Sequence, residues 1–284
     1  MTEDVDISFI VLTYNRPDAL LVVLRALATQ CGKGHEILIA DDGSNAASVQ
    51  TLKSEMPFFN CPVRHVWHPD RGFTASRARN LGVCNSEGRY LIFLDGDCVP
   101  NRHFVAAHTA LAEAGYFVNG NRVLCSQGFT QHILTQQVNL VSATIMDWVH
   151  WRFQGAVNKL AHLLYWPDAP GRNQKKFYWK KIRSCNFAVW KSDYVLVNGF
   201  DETFEGWGHE DADLVLRLHN SGLIRKNGYL CTEVYHLWHQ LNSRGNESAN
   251  YQRVLERMKS NLVKASQGLL EANGMQDVHV TLLN

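Results

Sequence analysis

The seven cysteines of this sequence include no Cys-x-x-Cys pair. Their odd number and scatter argue against a disulfide framework or a zinc ribbon. Such thiols fit a reducing, cytosolic compartment and mostly buried positions. Charge of one sign is also missing: the net charge is +1 over 284 residues, so no global field draws nucleic acid to the surface. No apolar run reaches the roughly 18 residues a membrane-spanning helix needs. The opening MTEDVDISFIVLTYN carries early acids and one short apolar run, a pattern unlike a secretory leader. No Gly-x-Gly-x-x-Gly follows that first run, which disfavours a dehydrogenase built on a dinucleotide. Repeats, low-complexity tracts and convincing linkers are absent too. What remains is ordinary for a globular protein, with 45% hydrophobic and 19% charged residues, and one domain over residues 1–284 is expected.

The first hundred residues alternate in a regular way. Ile7 to Thr13 reads as a strand, and Pro17 suits the first turn of a helix running through Ala19 to Thr29. Glu36 to Ala40 and Val63 to His68 read as further strands, with helical stretches at Ser48 to Ser54 and Thr74 to Val83. Tyr90 to Leu94 is the next strand. This rhythm predicts an α/β fold with a mainly parallel, Rossmann-like mixed sheet flanked by helices. Its sharpest polar breaks, at Tyr14, Asp41 and Asp95, all follow strands and should converge on one sheet edge, where open α/β sheets place their ligands. Residues 131–170 look helical in part, and the tail from about 250 reads as a surface helix and a terminal strand or coil.

Leu91-Ile92-Phe93-Leu94-Asp95-Gly96-Asp97 carries the most information. Two carboxylates one residue apart at a strand exit can hold a hard divalent cation against a phosphate. They also fit a solvated turn, or the aspartate nucleophile of a haloacid-dehalogenase-like phosphatase with Asp95 attacking phosphorus. The phosphatase pattern wants its motif on the first strand, whereas here a whole β-α-β-α-β unit precedes it. In Asp41-Asp42-Gly43-Ser44 a carboxylate can accept from the imide N–H of a uracil or cap the next helix. Arg71, Arg77 and Arg79 offer forks for phosphate, but Arg77 and Arg79 lie roughly 200° apart on a helix, so they cannot share one face. Gly206-Trp207-Gly208-His209-Glu210-Asp211-Ala212-Asp213 allows a tight loop with an aromatic face for a sugar. A helix follows whose dipole favours ionised carboxylates in its first turn, and one of these can act as a general base. Asp213 and Arg217, four apart, are read as a structural pair. His236 and His239 are candidate metal ligands; in a strand, residues three apart face opposite ways, so only one of the two should reach the metal.

Together these segments resemble the GT-A-fold family 2 glycosyltransferases of the inverting type. VLTYNRPDAL, IADDGS, ARNLGV and YLIFLDGDCVP resemble the nucleotide-sugar half, and GFDETFEGWGHEDADLVLRL resembles the C-terminal motif of galactosyltransferases and chondroitin-type polymerases. The resemblance implies a nucleotide-binding half to about residue 100, an acceptor-binding half from about 101 to 250 and a helical tail. It implies that Asp42 binds uracil, with the loop Thr13, Tyr14, Asn15 and Arg16 packed near it, and that Arg79 approaches the nucleotide. Asp95, with Gly96 beside it, would contact ribose or metal-bound water. Asp97 and His236 would ligate Mn²⁺ or Mg²⁺. Trp207 and Gly208 would line the sugar site, Glu210 would hold sugar hydroxyls, and Asp211 would be the base. The Glu-Asp pair favours inversion.

The implied donor is a UDP-sugar, and the implied acceptor a glycan or lipid-linked oligosaccharide of a bacterial surface polysaccharide. Residues 171–183 carry six basic residues, three aromatics and no acid. They read as a mobile loop over the bound donor or as a peripheral contact with the inner face of the cell membrane. A non-catalytic sugar-binding module is the remaining alternative.

Overall fold

The computed structural model describes residues 6–136, 138–179, 182–240 and 245–284. In chain order the first part runs β1 (Ile7–Thr13), α1 (Pro17–Ala28), β2 (His35–Asp41), α2 (Ala46–Glu55), β3 (Val63–Trp67), α3 (Ala75–Cys84) and β4 (Tyr90–Asp95). Then follow β5 (Cys98–Pro100), α4 (Phe104–Leu111), β6 (Tyr116–Asn119), β7 (Asn121–Leu124), α5 (Gln127–Gln136), α6 (Ile145–Phe153) and β8 (Asn173–Gln174). The last part holds β9 (Asn186–Trp190), α7 (Lys191–Leu196), α8 (Glu210–Asn220), β10 (Ile224–Asn227), β11 (Glu233–His236), α9 (Glu247–Arg257), α10 (Leu269–Ala272) and β12 (His279–Leu282).

The large sheet has the order β12-β3-β2-β1-β4-β9-β6-β10-β8. β3, β2, β1 and β4 are parallel, while β9 runs antiparallel between β4 and β6. Strands covered on both faces are apolar almost throughout. In β1, Phe9 and Val11 face one core layer with Leu20 and Leu24 of α1, and Ile10 faces the other with Ala78 and Leu81 of α3. Because the chain winds from β1 outward to β3 and then returns to β4 on the other side of β1, the loops after β1 and β4 flank a switch point. Ligand clefts form there in open α/β sheets. Register sharpens this: Thr13 pairs with Asp41 and Leu12 with Asp95, so all three breaks in the sequence reach one edge.

A second, three-stranded sheet, β5-β11-β7, was not visible in the sequence. It pairs His236 of β11 with Cys98 of β5, one residue beyond Asp97. The terminal strand β12 closes the far edge of the large sheet against β3. The arginines of α3 divide as their angular spacing requires. Arg77 pairs with Asp277 at 3.3 Å, Arg71 meets the same carboxylate, and both tie down the C-terminal tail, while Arg79 turns inward.

The basic stretch 171–183 does not form one surface. Arg172 is buried and donates to the carbonyls of Pro167, Asn227, Tyr229 and Trp166, β8 pairs with β10, and Arg183 reaches the central cavity. Lys175 and Lys176 are exposed, and Lys180 and Lys181 lie outside the described residues. Among the described residues no helix is long and apolar enough to cross a membrane.

Candidate active site

A cavity of about 1170 Å³ opens at the switch point. The β1 loop (Thr13, Tyr14, Asn15, Arg16), Asp42, Arg79, the Asp95-Gly96-Asp97 turn, the Trp207-to-Asp211 segment, His236 and His239 all line it. The residues to which the resemblance gave roles are therefore at one place, although they span more than two hundred positions, while Arg71, Arg77 and Asp41 lie outside it.

Local chemistry explains how the loops hold their shape. Asn15 adopts a left-handed φ of 49°, which its short amide tolerates, and its Oδ1 accepts from the backbone N–H of Asn45 at 2.9 Å. Asp41 serves the fold: it accepts from the Ser44 N–H at 2.8 Å and contacts His65 at 2.8 Å. Asp42 lines the cleft, accepting from the Thr74 N–H at 2.9 Å and from the Thr74 hydroxyl, with His68 at 3.3 Å. The Tyr14 ring is 46% exposed, and its hydroxyl donates to Asp70 at 2.9 Å. The aromatic face is thus free to stack while its polar end is anchored. Gly96 is required by space: a Cβ there would sit 2.8 Å from the Leu12 carbonyl oxygen, which accepts the Gly96 N–H at 2.7 Å.

Asp97 faces two imidazoles. His236 Nε2 is 3.8 Å from Oδ1 and His239 Nε2 is 3.4 Å from Oδ2. Both rings point this way, whereas the compact donor cluster around Asp97 includes only His236. β11 ends at His236, so the chain turns before His239, and the strand rule for opposite faces no longer applies. The Leu237 N–H donates to the Asp97 carbonyl at 2.9 Å and clasps the turn to the carboxylate loop. Burial holds the His236 imidazole below its ordinary value, with the nearby Asp97 acting in the opposite sense. The Asp97 carboxylate and the His236 ring nitrogen, which lie in one compact cluster, are donors that suit Mn²⁺ well, and Mg²⁺ through oxygen. The residues fit such an ion.

On the opposite wall, two left-handed glycines, Gly206 (φ 71°) and Gly208 (φ 108°), frame Trp207. His209, also left-handed at φ 71°, opens α8. Glu210 and Asp211 follow at the positive end of the helix dipole. Burial and the neighbouring Asp211 push the Glu210 carboxyl up to about 7. Burial also raises Asp211, opposed by the Arg183 guanidinium and by the Ala212 N–H, which donates at 2.7 Å. Arg79 connects the two walls, donating to Asp95 at 2.9 Å and lying 3.8 Å from Glu210. Burial works against its charge, and the carboxylates Asp95 and Glu210 more than offset that. Among the described residues, Arg79 Nη1 and Glu210 Oε2 are buried without a hydrogen bond, so the site holds polar capacity beyond what its own side chains use.

Asp213 is structural, as its spacing implied. It meets Arg217 at 2.8 Å, both side chains are 0% exposed, and Arg257 donates to it at 2.6 Å. Sequence reasoning named His239 as a candidate ligand but did not foresee that it would lie beside Asp97 together with His236. It also missed an aromatic group in which the Trp179 and His209 rings, which line the cavity, lie 5.4–5.7 Å from each other and from Tyr251. These three residues come from separate segments with no shared motif, so only the fold reveals the group.

Solved structures share this architecture. S. aureus TarS 1–349 in complex with UDP-GlcNAc superposes with a TM-score of 0.59 at 13% identity, covering 94% of this chain and 69% of that one. The mannosyltransferase PcManGT from Pyrobaculum calidifontis, in complex with GDP-Man and Mn²⁺, gives 0.53 at 14% identity over 84% of this chain and 59% of that one. The fold is that of the GT-A glycosyltransferases.

The family model of Glycosyl transferase family 2 matches residues 8–195, and a model described as the N-terminal domain of galactosyltransferase matches residues 172–240. This chain belongs to glycosyl transferase family 2. Validoxylamine A glucosyltransferase of Streptomyces hygroscopicus subsp. limoneus is 25% identical over 76% of this chain and 48% of its own length. Hyaluronan synthase of Pasteurella multocida is 27% identical over 79% of this chain and 24% of its own length. Chondroitin synthase of Escherichia coli is 25% identical over 76% and 32%. The chain thus spans about half or less of these relatives.

Proposed function

We propose that this chain transfers a hexose or N-acetylhexosamine from a UDP-sugar to a hydroxyl of a glycan acceptor, with inversion at the anomeric carbon. One observation carries the reading: Asp97 with its two histidines and Glu210 with Asp211 line one cavity, and Arg79 links Glu210 to Asp95 of the aspartate turn. A phosphatase using Asp95 would leave the second wall without a role, and here Asp95 is engaged by Arg79.

In this reading Asp42 accepts from the uracil imide and the Tyr14 face stacks on the base. Asp95 meets the ribose. Asp97, His236 and His239 hold Mn²⁺ or Mg²⁺, which when bound supplies positive charge for a departing diphosphate. Trp207 and Gly208 line the sugar, and Glu210 accepts from its hydroxyls. Asp211 takes the proton of the acceptor hydroxyl as that oxygen attacks from the face opposite the leaving group. A single displacement of this kind inverts the anomeric centre. Residues up to about 100 form the nucleotide half, and residues to about 250 the acceptor half.

A glycan acceptor, free or lipid-linked and belonging to a bacterial surface polysaccharide, is supported by the hyaluronan and chondroitin synthases among the relatives. The cytoplasm, with peripheral contact at the inner face of the membrane, is the proposed location. A UDP-sugar hydrolysis panel with Mn²⁺ and with chelator tests the donor. Slow Mn²⁺-dependent hydrolysis of one or a few UDP-sugars is expected. No hydrolysis of any of them, together with no Mn²⁺-dependent UDP binding, contradicts the reading.

A further inference from the structure

Cys98 differs from the other buried thiols in its neighbours. In the antiparallel pairing of β5 with β11 it lies directly opposite His236, so the two side chains share a face and stand side by side. Its Sγ donates to Asp97 Oδ1 at 3.5 Å. Ligand atoms of Asp97, Cys98 and His236 all fall within 4.8 Å of one another, a spacing that one cation can span.

We propose that Cys98 gives this centre a second loading mode, in which a thiophilic divalent cation of the Zn²⁺ class binds through the Cys98 sulfur together with Asp97 and His236. The proposal rests on the metal reading of Asp97 and His236 above and goes beyond it, because the hard cations that suit a diphosphate have little use for sulfur. Carboxylate and imidazole serve Mn²⁺ and Zn²⁺ alike, whereas a thiolate selects Zn²⁺, Cd²⁺ or Co²⁺. On binding, the S–H bond breaks heterolytically, the sulfur–metal bond forms from the sulfur lone pair, and the proton leaves to solvent. No electron is transferred. Both modes use Asp97 and His236, so Zn²⁺ and Mn²⁺ exclude each other.

The Cys185 thiol lies beside that of Cys98, and it supplies the control. Co²⁺ added to the full chain tests the proposal by absorbance. The expected result is a thiolate-to-cobalt charge-transfer band in the near ultraviolet, removed by excess Zn²⁺. Cys98→Ser should lack the band, bind Zn²⁺ about tenfold or more weakly, and bind Mn²⁺ as wild type does. Cys185→Ser should retain the band. A wild-type cobalt complex without the band overturns the proposal and makes Cys98 a core residue only; so does a band that survives in Cys98→Ser. Failure of the underlying donor reading shows differently, as wild-type protein that binds UDP equally well with Mn²⁺ or chelator, whatever the cobalt spectrum.

Discussion

Arg79, on the third helix of the N-terminal half, lies 3.8 Å from Glu210 at the start of a helix more than a hundred residues later. The same guanidinium donates to Asp95 at 2.9 Å, with a side chain only 4% exposed. One buried cation thus sets the distance between the aspartate turn and the carboxylate pair. Replacing it with Met removes the partner of two carboxylates at once. Arg79→Met should cost about 3–5 kcal/mol of stability, read by urea denaturation, and should abolish transfer. Arg79→Lys should recover part of the stability and less of the activity, because an ammonium lacks the planar fork that spans two acids.

The Glu210 carboxyl, pushed up to about 7 from an ordinary 4.5, links stability to pH. The folded state binds this proton more tightly than the unfolded state does. Its contribution is fully present below about pH 4.5 and is lost as pH rises through about 7. Glu210→Gln keeps the shape and removes the titration. Its stability relative to wild type should therefore rise from pH 4.5 to pH 8, as followed by thermal melts across that range. A constant difference would mean that Glu210 does not titrate there.

Asp211 must be ionised to take a proton, and burial raises its carboxyl. The transfer rate should accordingly climb with pH on its acid limb. Arg183 opposes that rise, so Arg183→Met should move the limb to higher pH, while activity at the upper plateau falls less than it does on the limb. A limb that does not move would exclude Asp211 as the group titrating in the profile.

Asp213 stands in the same helix turn and has a different task. With Arg217 fully buried against it and Arg257 at its second oxygen, Asp213→Asn leaves guanidinium charge poorly paired. It should lose about 3–5 kcal/mol of stability, while well below its melting temperature it still binds nucleotide as wild type does. Calorimetry paired with denaturation separates it from Asp211→Asn, which should fold normally and fail in transfer.

The legible part of this fold was the part ruled by local pattern. Apolar runs ended by Tyr14, Asp41 and Asp95 predicted strands whose bounds agree with the structure to within a residue or two, because both faces of β1, β2 and β4 are covered. The Asp213–Arg217 pair was legible for the same reason, since helical spacing alone decides it. What escaped detection depends on long-range pairing of short strands. β5 and β11 have three and four residues, too few to show a period, yet their register sets Cys98 against His236 and brings His239 around to Asp97. The segment 171–183 looked uniform by composition, whereas the carbonyls that bury Arg172 come mainly from residues 166, 167, 227 and 229.

Calorimetric titration of UDP into wild type, Asp97→Asn and Asp211→Asn, each with Mn²⁺ and again with chelator, tests the central division of labour most directly. The account predicts that wild type and Asp211→Asn bind alike and only with Mn²⁺, while Asp97→Asn binds at least about tenfold more weakly. Equal weakening by both substitutions, or wild-type binding indifferent to chelator, would contradict it.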